Sequence, residues 1–123
     1  MFTVALCLFQ TNREDEAVSP ARESLELAHA MVEVEGIVWV LLLLGAIAIR
    51  RRDVNSAARL VGAAEALRAR SKLILSGAEA RLYETTIEEL HCNLSARSYE
   101  VAFAEGQMMS LDEAVEYALA SID

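Results

Sequence analysis

With a single proline, Pro20, and five glycines in 123 residues, the sequence offers few points at which a helix must stop. It reads as long helices joined by tight connections. Aromatics are scarce too, 6% of a chain that is 54% hydrophobic; the excess is mostly Ala and Leu, strong helix formers. Basic side chains number 11 against 19 acidic ones, a net charge of -8, and since phosphate neutralisation needs clustered Lys and Arg, nucleic acid is disfavoured as a general partner. The two cysteines, Cys7 and Cys92, match no metal-ligand spacing and sit in apolar patterns, so reduced, mostly buried thiols of a cytoplasmic protein are expected and a disulfide is not. No apolar run is long enough to span a bilayer: the longest, Ile37 to Ile49, holds 13 residues against the ~20 required. Met1 to Phe9 lacks a basic region and a small-residue cleavage site, so no export signal is read there.

What is present is helical periodicity. A first helix is expected over Phe2 to Gln10, ending in the polar patch Thr11 to Asp15. A second begins near Asp15 or Ser19, with Pro20 in its first turn, and lines up Leu25, Ala28 and Val32. After a break at Glu33 to Gly36, the segment Ile37 to Arg52 is apolar nearly all round and must be the central element, closed by Arg50, Arg51 and Arg52. Asp53 or Asn55 can cap the next helix, Val54 to Ala69, whose Ala57, Val61, Ala64 and Leu67 share a face beside the small residues Gly62 and Ala63; it should pack on the central helix. A fifth helix, Ala78 to Leu94, carries the stripe Tyr83, Ile87, Leu90 and Leu94. Ser95 caps a sixth, for which Gly106 reads as a left-handed stop. The last begins with the capping box Ser110-Leu111-Asp112-Glu113 and lines up Leu111, Ala114, Val115, Ala118, Leu119 and Ile122.

Ala21, Leu25 and Ala28 are echoed by Ala57, Val61 and Ala64 at a shift of 36 residues, close to the ~34 of a tetratricopeptide repeat. Leu44-Gly45 and Ala48 precede the second set at that repeat's packing spacing, although Ala48 stands where its tyrosine is usual. The expected fold is therefore all-α: tetratricopeptide-like antiparallel helical hairpins, a short α-solenoid of about six to seven helices. It forms one domain over residues 1–123, with a first hairpin over 2–36, a second over 37–70 and C-terminal helices over 78–123.

The stretch Ala58-Arg59-Leu60-Val61-Gly62-Ala63-Ala64-Glu65-Ala66-Leu67-Arg68 resembles a segment near the end of the tetratricopeptide-like region of bacterial LuxR-type regulators and related predicted ATPases. Phe103-Ala104-Glu105-Gly106, with Ser110 to Val115 and Ala118-Leu119, is similar to the last two helices of that region, and Glu23-Ser24-Leu25 to the repeats before it. In that family a P-loop ATPase module precedes the helices and, in many members, a helix-turn-helix module follows. Neither motif occurs here: the chain has no G-x-x-x-x-G-K-[ST] loop and stops where a DNA-binding part would be expected to begin. The resemblance implies the helical sensor or scaffold section of a transcriptional regulator, not an enzyme, with no cofactor and no metal.

Three constellations compete with that reading. Glu26 and His29, and Glu88 and His91, are two Glu-x-x-His pairs of the kind used in di-iron carboxylate bundles, but the central helix supplies no further inward carboxylate. Arg50, Arg51, Arg52, Arg59, Arg68, Arg70 and Lys72 concentrate positive charge that could contact DNA, though no recognition-helix pattern accompanies it. Cys92 beside His91 is not a nucleophile-base pair, since helix neighbours point about 100° apart. Trp39 is read as core, while Met108 and Met109 are candidates for an exposed apolar contact. The expected partners are protein segments or other domains of a regulator, including a second copy of the chain through Phe2, Leu6 and Phe9, with no membrane and with nucleic acid disfavoured.

Overall fold

The computed structural model describes residues 11, 13–74 and 77–121. Among them are helices and connecting turns and no strand: α1 (Glu14–Ala30), α2 (Val34–Arg50), α3 (Val54–Ser71), α4 (Gly77–Asn93), α5 (Ala96–Gln107) and α6 (Leu111–Ser121). The expected Phe2 to Gln10 helix, with Phe2, Leu6, Phe9 and Cys7, lies outside the described residues, as does Ile122.

The all-round apolarity of α2 decides the architecture. Leu41, Leu42, Leu43 and Leu44 are each no more than 1% exposed, and because successive residues point about 100° apart, those four directions cover nearly the whole circumference. The cover comes from α1, α3, α4 and α6, all of which pack on α2. The helices alternate in direction. Arg51, just past the end of α2, reaches Asp15 at the start of α1 (2.8 Å), and His29, near the end of α1, meets Asp112 at the start of α6 (2.8 Å). The chain is thus a row α1-α2-α3-α5, with α6 lying across α1, α2 and α3 and α4 lying across α2, α3 and α5.

Helices α1, α2 and α3 start 20 residues apart, at Glu14, Val34 and Val54. Equivalent helices of the same direction therefore recur at 40 residues rather than at the 36 read from the sequence. Ala21, Leu25 and Ala28 are buried like Ala57, Val61 and Ala64, but sit four residues, about one turn, deeper into their helix. The two connections are built alike. In the first, Val32 N–H bonds the His29 carbonyl (3.1 Å) and Glu33 N–H the Ala28 carbonyl (2.8 Å); in the second, Arg52 and Asp53 repeat this with Ile49 and Ala48 (both 2.9 Å). Each satisfies helix-end carbonyls through a left-handed residue.

Four expectations require correction. The break before α2 is Met31 to Glu33, so Gly36 is inside the helix. Pro20 is not in a first turn but inside α1, because the Arg13 carbonyl already accepts from the N–H groups of Glu16 and Ala17 (both 3.1 Å) and starts the helix six residues earlier. Gly106 is not a left-handed stop: it is a buried residue of α5, and the left-handed positions among the described residues are Val32, Arg52, Lys72 and Gly77. Cys92 is exposed, since α4 turns Leu90 and Thr86 inward and Cys92 lies about 200° round from Leu90.

The role of Gly106 is contact. A Cβ there would lie 2.0 Å from the Arg59 carbonyl oxygen, and one on Gly62 would lie 2.2 Å from that of Phe103. Helices α3 and α5 therefore cross backbone to backbone, each glycine fitting the other helix, with Ala58, Ala63 and Ala102 buried. Gly62 is turned toward α5; the contact of α3 with α2 is made instead through Val61, which closes over Gly45. Of the expected caps, Asp53 accepts from Ser56 N–H (3.4 Å) and Ser95 from Ser98 N–H (3.2 Å). The capping box closes in both directions, Glu113 N–H to Ser110 Oγ (3.2 Å) and Ser110 N–H to Glu113 Oε1 (2.9 Å).

Gly62→Ala and Gly106→Ala each force backbone apart and are expected to lower stability by about 2 kcal/mol or more, measured by urea unfolding. The double variant should lose less than the sum, because one helix displacement relieves both clashes; strict additivity would show that the two glycines do not share a crossing. Pro20→Ala restores a helical N–H within α1 and should raise stability by about 1 to 3 kcal/mol in the same assay. A loss instead would mean that the ring itself packs productively.

Candidate interaction surface

Because the helices alternate, α1, α3 and α5 end where α2, α4 and α6 begin, and the turns at 31–33 and 108–110 and residues 72–74 after α3 share one end of the bundle. Five of the six large apolar side chains exposed among the described residues belong to this end: Leu27 (56% exposed), Met31 (60%), Val32 (70%), Ile74 (90%) and Met108 (85%). Only Val101 lies elsewhere, on α5. Leu27 and Met31 are four apart and follow one flank of α1.

The turns carrying these side chains are tied down. His29 Nε2 meets Asp112 Oδ1 at 2.8 Å, linking the end of α1 to the start of α6. Arg70 Nη2 donates to the carbonyls of Gln107 and Met109 (both 3.3 Å), linking the end of α3 to the turn before α6. Met109 is partly buried and packs on the core, so of the two expected contact methionines only Met108 faces solvent fully. At the opposite end of α6, Tyr117 donates to Ser56 Oγ (3.0 Å) and accepts from Arg59 Nη1 (3.3 Å). The face shared by α1 and α3 is therefore covered from within the chain.

Val32 is the anomaly. It has φ of 54°, a left-handed conformation that costs a β-branched side chain more than any other, and it presents an apolar side chain to water there. The positions equivalent to it in the next two turns, Arg52 and Lys72, also have positive φ but carry charged side chains. Val32 satisfies neither backbone preference nor solubility.

The competing constellations are not assembled. His29 pairs with Asp112, whereas His91 lies tilted against Tyr99 (centroids 4.4 Å apart) and Tyr99 stacks on Phe103 (5.3 Å). No group of three or more His, Cys, Asp or Glu among the described residues is placed to hold a metal ion, so Glu26, His29, Glu88 and His91 do not share a site. Much of the basic cluster is engaged within the fold. Arg51 bonds Asp15, Arg59 bonds Tyr117 and approaches Glu105 (3.5 Å), and Arg68 pairs with Glu65 while donating to the Leu73 carbonyl (2.8 Å). Trp39 is partly buried on α2. No described helix is long and apolar enough to cross a membrane.

A shallow depression beside the α3-α4 turn, about 260 Å³, is lined by Glu65, Arg68, Ile74, Ala80, Tyr83 and Glu84. Burial, reinforced by the Glu65 carboxylate, pushes the Tyr83 phenol up to about 12, and burial raises Tyr99 as well. Tyr83 therefore remains a neutral hydrogen-bonding phenol at any physiological pH.

No protein-family model, no curated protein and no solved structure matches this chain.

The raised Tyr83 pKa couples to stability. Between about pH 10, where an unfolded tyrosine ionises, and about 12, the unfolded state releases a proton that the folded state retains, so stability should fall as pH rises through that window. Tyr83→Phe should flatten the slope, and a 295 nm titration should lose its latest-ionising phenol. An unchanged slope in the variant would place the alkaline loss elsewhere.

Proposed function

We propose that this chain is a non-enzymatic protein-binding scaffold, the helical sensor or regulatory part of a LuxR-type transcriptional regulator, working in the cytoplasm by docking other protein segments. The observation that carries the reading is the gathering of Leu27, Met31, Val32 and Met108 at one end of the bundle, on turns held by the His29–Asp112 and Arg70 contacts. Apolar side chains collected on turns that are tied to one another mark a surface built for contact.

The regulator assignment draws support from a packing relation. Two of the segments that carry the resemblance, Ala58 to Arg68 and Phe103 to Gly106, cross at Gly62 and Gly106. Their likeness thus falls on one structural unit, and glycines at such a crossing are replaceable only by moving a helix. With α6 lying over α1 and α3, docking is assigned to the turn-bearing end rather than to a groove between hairpins.

Native mass spectrometry of the purified chain, before and after incubation with Fe(II) or Mn(II), separates this reading from the metal-carboxylate alternative. The expected spectrum carries no stoichiometric metal under either condition. A metal mass lost on His29→Ala or His91→Ala would replace the scaffold by a metalloprotein.

A further inference from the structure

The turn-bearing end also defines the chemistry of its partner. We infer that the end formed by Leu27, Met31, Val32 and Met108 docks a basic amphipathic helical segment of another protein, an inference that rests on the scaffold reading and specifies its occupant.

The argument is one of charge around an apolar centre. Three helices end and three begin here, so their terminal partial charges, about half an elementary charge each and opposite in sign, cancel. Side chains decide the field. Glu33 and Glu35 flank the first turn, Asp112 and Glu113 the start of α6, and Glu23 and Glu26 run down α1 beside Leu27; all six are exposed. Against them stand Arg70, held by the carbonyls of Gln107 and Met109, His29, held by Asp112, Lys72 at the end of α3, and Arg81 near the start of α4, flanked in sequence by Glu79 and Glu84. A second copy brings a further -8 and the same acidic rim, so pairing these ends with each other sets like charges together. A segment with Lys or Arg on one face and apolar residues on the other matches both features.

Geometry and side-chain type fit the same occupant. The His29–Asp112 contact joins the end of α1 to the start of α6, so the turns carrying Val32 and Met108 border one another's helices at this end of the bundle. The two methionines, flexible and polarizable, adapt to varied apolar partners. Val32 gives the clearest indication: Gly or Asn at that left-handed position would relieve the backbone and remove an exposed apolar group together. A residue unfavourable to the isolated fold on both counts is accounted for by a partner that covers it.

The test uses the full chain and two fluorescein-labelled 14-residue helical peptides of identical Leu pattern, one carrying Lys on its polar face and the other Glu, followed by fluorescence anisotropy. The Lys peptide is expected to bind and the Glu peptide to bind at least tenfold more weakly. The pair Val32→Asn with Met108→Ser should weaken the Lys peptide tenfold or more while its melting temperature stays level or rises, which separates loss of a surface from loss of the fold. Glu33→Gln with Glu35→Gln should weaken binding and reduce its salt dependence. Lys-peptide binding that ignores Val32→Asn with Met108→Ser would reject this site yet leave the scaffold reading standing, since the peptide then docks elsewhere. Concentration-dependent self-association abolished by that same pair would make the occupant a second copy and overturn the inference. Binding of neither peptide, with no self-association, would remove the scaffold reading along with it.

Discussion

The structure depends on keeping water from every side of α2. From Ile37 to Ile49 this helix carries no charged residue, and its large side chains are each worth roughly 1.5 to 3 kcal/mol when buried. A helix with one apolar stripe needs one partner; a helix apolar all round needs several. Its sequence neighbours α1 and α3 close two sides, and α4 and α6 close the rest. That demand explains why α6, 60 residues further along the chain, returns to lie across α1, α2 and α3 instead of continuing outward as the next member of a row. Its buried side chains are the small Ala114, Val115 and Ala118, which suits a helix laid into a space already bounded on three sides.

The second constraint is that α3, apolar toward α2, must also be covered on its far side. The cover is α5, and the contact is backbone on backbone at Gly62 and Gly106. This use of glycine explains where the sequence was legible and where it was not. Among the described residues, helix existence, the capping residues Asp53, Ser95 and Ser110, and the centrality of α2 follow from local chemistry and periodicity, and each appears as expected. Gly106 was misread because a glycine near a helix end has two uses, a left-handed stop or a close approach, and the two differ only in what another helix does. The actual stops, Val32, Arg52 and Lys72, lack the expected residue type, so no local signal announces them. Pro20 was misplaced for a related reason: of the two starts the sequence offers, near Asp15 or Ser19, the Arg13 carbonyl, accepting from Glu16 and Ala17, fixes the earlier one, so Pro20 falls inside α1.

The repeat shows the same limit. Short equal turns produce helix starts 20 residues apart, a regularity invisible in residue identity because Val32 and Arg52, or Glu33 and Asp53, occupy equivalent places with different side chains. What the sequence comparison detected at 36 residues is the spacing of small buried residues on two helices, a property any well-packed Ala-rich helix shares. The candidate surface was half legible for a similar reason. Met108 stands out because it sits in a polar turn, whereas Met31 and Val32 look like the continuation of the helical stripe Leu25, Ala28, Val32. Only the termination of α1 at Ala30 turns them outward.

That termination links fold to function. If α1 had run one residue further, Val32 would have been able to adopt right-handed geometry and the strain would vanish; the chain instead closes α1 with two carbonyl bonds from Val32 and Glu33 that hold the valine outward. The next turn performs the same closure with Arg52, so the closure itself does not require an apolar residue. A backbone device that works with arginine gains nothing in stability from valine. Lys72 makes the same closure at the same end as Val32 and is charged, so the apolar choice belongs to the immediate surroundings of Val32, where Met31 and Leu27 are also exposed. The two ends of the bundle thus differ: one carries arginines paired with carboxylates, Arg13 with Glu16 and Arg51 with Asp15, and the other gathers exposed apolar side chains within an acidic rim, a composition the fold alone does not account for.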